Sequence, residues 1–258
     1  MSQWLTLFNK EMLEMSRNFK WIWVPIVFIL LAVQEPIVQY YLPEIINSLG
    51  DLPEGAVIKL PVPSAAEVLM AILGQFNVLG VLIIVLTSMG IIAGERKSGV
   101  AALILVKPVS YFSYITAKWA SAMLLLWVSY FAGYIFSYYY VVVLFEAVSF
   151  SVFLQSFFMN GIWLSFVLTI TIFLNSLFRS PGAVGFLSIT AILLINMCSS
   201  LFVKWFKWSP ALLTGYTNQF LLYGEFPREA FPALTLAIIS IIVLLLWCVR
   251  IFRQKELA

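Results

Sequence analysis

Six apolar runs, each long enough to cross a bilayer, constrain this chain more than any other feature. They cover residues 21–42, 68–93, 119–145, 152–177, 183–203 and 231–252, and a spanning helix needs about 20 such residues. Of the 258 residues, 62% are hydrophobic and only 10% charged, whereas soluble domains carry about a quarter charged residues. A water-soluble fold of this length has no interior large enough to hide that much apolar surface. The expected fold is therefore an all-α membrane protein with about six transmembrane helices, read as one membrane domain over residues 1–258. The first run is longer than a signal-peptide core and lacks a small-x-small cleavage site, so it reads as a span that also directs insertion. It is interrupted by Gln34-Glu35-Pro36 and could stop near Val33, with the following residues at the outer surface.

Charge placement gives the orientation. Lys10, Arg17, Lys20, Arg96, Lys97, Lys107, Lys118, Arg179, Arg250, Arg253 and Lys255 fall on one side of the six runs, and Lys59, Lys204, Lys207 and Arg228 on the other. Eleven against four places both termini in the cytoplasm, because positive loops stay inside. The net charge of +3 thus reflects topology and not a basic patch for nucleic acid.

Residues 1–20 do not span. At about 100° per residue, Trp4, Phe8, Met12, Met15 and Phe19 share a narrow arc opposite Thr6, Asn9, Lys10, Ser16, Arg17 and Lys20, with Leu13 misplaced. That pattern fits an interfacial amphipathic helix; a helix packed on a partner remains the alternative. The outer segments expected are a Pro-rich acidic loop over 43–67 and an aromatic segment over 204–230. The latter, broken by Pro210, Gly215 and Gly224, reads as short helices re-entering the outer leaflet or as an aromatic belt. Ser129, Gly133 and Ser137 form a small-residue stripe that permits close helix approach, and Gly90 and Gly94 repeat its spacing.

Enzymatic chemistry finds no support. Histidine is absent, and the two cysteines, Cys198 and Cys248, fall in apolar runs, so neither a disulfide framework nor a metal site is expected. Gly94 to Gly99 reads Gly-Glu-Arg-Lys-Ser-Gly and lacks the Gly-Lys-Ser/Thr of a phosphate loop. No run pairs two carboxylates, and none places a lysine at depth where a Ser-Lys hydrolase would need it. No catalytic residue and no cofactor on this chain are expected. Glu35 in the first run, and Gln75 and Asn77 in the second, lie at similar depth, Glu35 roughly 21 Å and Gln75 roughly 27 Å from the cytoplasmic ends of their spans. Such a polar layer is a candidate transport pathway, unless Glu35 is simply at the outer interface. Asn160, Asn175 and Asn196 read as interhelical hydrogen-bond partners.

The loop 94–118 reads GERKSGVAALILVKPVSYFSYITAK. Glu95-Arg96-Lys97 flank an apolar stretch that suits a short helix docking into another protein, and Gly99 would permit a sharp turn. The loop resembles that of type 2 ABC-transporter permeases, in which a Glu-containing turn and a glycine precede a Leu-rich stretch, Pro-Val-Ser and a lysine entering the next span. Glu95, Arg96, Gly99, Leu103, Pro108, Val109, Ser110 and Lys118 match that pattern; Val100, Tyr111 and Ala117 depart from it. The N-terminal helix, the span count and Arg179-Ser180-Pro181-Gly182 extend the likeness over the whole chain, nearest the copper-enzyme-maturation and bacterial peptide-export branch. The resemblance implies the permease subunit of an ATP-driven exporter in a bacterial plasma membrane, paired with a second permease copy, identical or related. ATP and magnesium would sit on separate ATPase subunits that press on Glu95, Arg96, Lys97, Gly99, Leu103, Pro108 and Lys118. The rival readings are a non-transporting scaffold or insertase-like factor and an ion-coupled secondary transporter.

Overall fold

The computed structural model describes residues 3–49, 63–105 and 109–257. Pro108, Lys107, Lys59 and Asp51 lie outside them. The described residues are helical and contain no strand. Six helical stretches are long and apolar enough to cross a membrane: Lys20–Ile46, Ala65–Ser98, Tyr111–Leu144, Phe150–Leu177, Pro181–Leu201 and Ala230–Lys255.

The N-terminal helix α1 (Gln3–Arg17) is joined to α2 (Lys20–Leu49) through Phe19, which takes a positive φ of 55°. The expected interruption at Gln34-Glu35-Pro36 does not occur. Helix α2 runs unbroken through Pro25, Pro36 and Pro43; membrane-spanning helices tolerate proline better than helices in water. The anticipated loop over 43–67 is correspondingly shorter, because α2 reaches Leu49 and α3 (Ala65–Gln75) starts from a Ser64–Glu67 capping box.

The second span is segmented. Helix α3 passes through a π-helical turn, Phe76–Gly80, into α4 (Val81–Ser88); a short break then leads to α5 (Ala93–Ser98) and α6 (Val100–Leu105). Gly99 caps α5 with φ +79°, the left-handed conformation that costs glycine least. Helix α7 (Tyr111–Leu144) begins at the Ser110 cap, so the third span starts two turns earlier than the hydropathy suggested. Lys118 is therefore inside this helix and 2% exposed, which corrects the expectation of no lysine within a span. Helices α8 (Phe150–Leu177) and α9 (Pro181–Leu201) follow. The aromatic segment then folds into a 3-10 turn (Pro210–Leu212) and α10 (Leu213–Tyr223), and α11 (Ala230–Leu257) ends the chain. Helix α10 packs on α3 and α8, alongside the same half of the bundle that α3 occupies.

Helix α8 forms the centre: 78% of its apolar window is buried, against 17% for α11 and 28% for α9, whose exposed faces suit lipid. The small-residue stripe is where α2 and α7 meet. A Cβ on Gly133 would come 2.7 Å from the Phe28 carbonyl oxygen, so only glycine allows this approach. The Gly90/Gly94 repeat makes no comparable contact: a Cβ on Gly90 would meet only Pro181 at 3.9 Å. Both described chain ends share one end of the bundle, since α1 reaches Glu95 while Phe252 stacks on Tyr114 and Lys255 reaches the Leu177 carbonyl. We call it the termini end, and the opposite one the far end.

Candidate functional site

At the termini end, α1, α5 and α7 converge on one buried ionic cluster. Helix α1 turns Trp4, Leu7, Glu11 and Met15 toward the bundle, an i, i+3/i+4 series. Glu11 and Met15 are buried, Trp4 donates its indole N–H to Thr116, and Leu13 and Phe19 stay exposed. The packing face is thus one edge of the apolar arc, with a carboxylate at its middle. That carboxylate meets Lys118, whose Nζ lies 2.7 Å from Glu11 and 2.9 Å from Glu95. Tyr114 donates its hydroxyl to the other oxygen of Glu95 at 2.6 Å, and the Lys118 ammonium sits 5.1 Å from the Tyr114 ring. Lys10 pairs with Glu95 as well, and with Glu11 and Glu14 at 2.9 Å each. Burial depresses the Lys10 ammonium, but the carboxylates of Glu95, Glu11 and Glu14 outweigh it and raise its pKa above the ordinary lysine range. The carboxylate oxygens of Glu11, Glu14 and Glu95 lie within 4.8 Å of one another, and the Lys10 and Lys118 ammoniums sit among them.

The break after α4 is tied from three directions. Asn175 of α8 accepts the backbone N–H groups of Ile92 and Ala93 at 3.3 and 3.0 Å and donates to the Ser88 carbonyl at 3.1 Å. These are the orphan groups that any helix end leaves. Arg96 donates to the Ser176 carbonyl at 3.0 Å and lies over the Phe252 ring. Lys20 donates to the Thr87 carbonyl at 2.9 Å. Helix α5 is consequently held by α1, α7, α8 and α11 together. Such an assembly resists internal deformation, because Glu11, Glu95 and Lys118 are desolvated and depend on one another.

Above this joint the surface is different in kind. Lys97, Ser98 and Gly99 are exposed, and so are Val100 (39%), Leu103 (72%) and Phe112 (55%). Of the residues expected to meet a partner, Lys97, Gly99 and Leu103 lie on this surface. Glu95 and Lys118 do not; they are inside, holding the surface to the bundle.

The polar layer expected from Glu35, Gln75 and Asn77 is only partly assembled. Asn77, in the π-helical turn, donates to Asn160 of α8 at 3.0 Å, and Asn160 donates to the Tyr130 hydroxyl at 3.4 Å. Asn77 Oδ1 is buried and has no hydrogen-bond partner among the described residues. Glu35 instead accepts from Gln39 on its own helix, and Gln75 is half-buried. Asn160 and Asn175 bridge helices as anticipated, whereas Asn196 bonds back to the Ile192 carbonyl of its own helix.

Glu11, Lys10 and Tyr114 escaped the sequence reading as members of the site. One signal was available: at 100° per residue Glu11 falls between Leu7 and Trp4, at the edge of the apolar arc of α1, where a lone carboxylate needs a buried cation.

The profile of the ABC-2 family transporter proteins matches residues 5–257. The chain belongs to the ABC-2 transporter family. It is also 37% identical over 252 residues to the uncharacterized transmembrane protein YxlG of Bacillus subtilis (strain 168), with 98% of each chain covered. This is a family of membrane permeases without an ATPase domain of their own.

Proposed function

We propose that residues 1–258 form the transmembrane domain of an ATP-driven exporter in a bacterial plasma membrane, with ATP hydrolysed on separate subunits and a second permease copy completing the pathway. Both termini are cytoplasmic in this reading, supported by the eleven-to-four distribution of basic residues. The copper-enzyme-maturation and peptide-export branch remains the nearest likeness of the 94–118 loop.

One observation carries the coupling mechanism. Val100 and Leu103 of α6 and Phe112 of α7 are exposed, and α6 follows directly from α5, whose Glu95 is locked to α1 and α7 through Lys118. An interface centre of this kind, apolar with a charged rim supplied by Lys97, fits a cleft on another protein. Displacement of α6 by a partner would pass through Gly99 to α5, and from there to four helices at once. Two arrangements of such a rigid joint, each favoured by one nucleotide state, are sufficient for alternating access. Glu35, Gln75 and Asn77 remain the candidate pathway residues, with Asn77 best placed to change partners.

Purification of the tagged chain in mild detergent tests the reading. Recovery of an ATP-hydrolysing subunit with the permease is expected; recovery of permease alone, with no ATPase under gentle extraction, would refute it.

A further inference from the structure

At the far end, an open-sided apolar groove of about 350 Å³ lies between Trp208 and one face of α11, lined by Trp208, Pro232, Thr235, Leu236 and Ile239. Its volume is in the range of small-molecule sites. The lining residues of α11 are spaced i, i+3, i+4 and i+7, so the groove follows the helix axis for about 10 Å. Trp208 is 63% exposed, yet its backbone is fixed on both sides. The Ser199 and Ser209 hydroxyls bond at 2.6 Å, Ser209 caps the 3-10 turn, and Tyr216 donates to the Lys207 carbonyl at 2.7 Å.

The position relative to a bilayer follows from α9. Its 21 residues measure about 31 Å, one hydrocarbon thickness, so the residues after Leu201 emerge at the headgroup boundary. Residues 201–208 are all exposed, and six of them are apolar: Leu201, Phe202, Val203, Trp205, Phe206 and Trp208. The other two are Lys204 and Lys207. Lys207 lies 3.7 Å from Glu229, beyond hydrogen-bond length, so its ammonium retains donors for another anion beside the mouth of the groove.

We propose that this groove is a site for an anionic phospholipid of the adjoining leaflet, with an acyl chain along Leu236 and Ile239 and the phosphate at Lys207, assisted by Lys204. The apolar wall, the indole at headgroup level and the lysine pair match the three parts of such a lipid: chain, interface and charge. Binding there pins the 204–230 segment to α11 and to the bilayer surface.

Native mass spectrometry of the detergent-purified chain, with phosphatidylglycerol and phosphatidylcholine offered in equal amounts, tests the proposal. Wild type should retain one phosphatidylglycerol per chain under activation that strips phosphatidylcholine. Lys207→Gln should reduce that preference roughly fivefold, and Ile239→Trp, which fills the groove, should abolish retention. Leu236→Phe is a milder filling variant if Ile239→Trp does not fold. Equal retention of the two lipids by wild type overturns the proposal without recourse to any variant. Undiminished retention by a folded groove-filling variant does so too, as would a Trp208→Cys to Ile239→Cys disulfide between two copies in membranes, since a second copy would then cover the face.

Discussion

Replacing Lys118 by methionine removes the one buried cation that touches both Glu11 and Glu95 while keeping most of the side-chain volume. Breaking a buried ion pair by deleting one partner costs about 3–5 kcal/mol, because the remaining charge stays desolvated. Here two carboxylates lose a partner, but Lys10 contacts both and Tyr114 still donates to Glu95, so the lower end, about 3 kcal/mol, is expected. On the scale of a chain this size that lowers Tm by about 6–12 °C. Glu11→Gln combined with Lys118→Met removes one orphaned charge along with the cation, and should recover about 1–2 kcal/mol relative to additivity. Thermal unfolding of the detergent-purified variants, followed by intrinsic fluorescence, gives both numbers. A Lys118→Met protein that unfolds within about 2 °C of wild type, or strictly additive losses in the double variant, would refute the argument that the cluster holds α1 to the bundle.

Gly133→Ala should cost about 1–3 kcal/mol in the same assay, because its Cβ would meet the Phe28 carbonyl at 2.7 Å and must push α2 from α7. Gly99→Ala, strained by its φ of +79° in otherwise open space, should cost about 1 kcal/mol and leave membrane insertion intact. Because the folded Lys10 pKa is raised, its contribution is fully present below the ordinary lysine pKa and is lost as pH rises through the folded value. The tie between α1 and α5, followed by proteolysis of α1, should therefore be insensitive to pH through the neutral range. In a background lacking Cys198 and Cys248, a cysteine at Glu225 should react with an impermeant reagent from outside intact cells and one at Ser98 only after permeabilisation; the reverse pattern would invert the topology.

The spans were legible because each is a continuous apolar run. Gly99 was legible as well, since a glycine after Glu-Arg-Lys-Ser signals a left-handed cap. The bundle's interior was not. The partners of Lys118 are 107 and 23 positions away in sequence, and no local pattern links Glu11 to Lys118. Hydropathy also started the third span at Trp119, because Lys118 depresses any window containing it; in the fold its charge is answered by carboxylates from α1 and α5. Pro36 misled in the opposite direction, since the rule that proline ends helices is relaxed within membrane-spanning helices. The π-helical turn at Phe76–Gly80 left no sequence signature, yet it directs Asn77 toward Asn160. Most consequential for function, Glu95 reads as a surface charge beside Arg96 and Lys97, whereas only tertiary packing reveals that it faces inward and Lys97 outward.

The most direct test concerns Leu103, which is 72% exposed on α6 and touches none of the buried cluster. The ATPase that co-purifies with wild type is titrated against Leu103→Asp in proteoliposomes, with capture and ATP hydrolysis measured on the same samples. A charge placed at the centre of an apolar interface should weaken capture by at least roughly tenfold, at unchanged Tm and membrane insertion. Normal capture with normally coupled hydrolysis by Leu103→Asp would contradict the claim that force from ATP enters the bundle through α6.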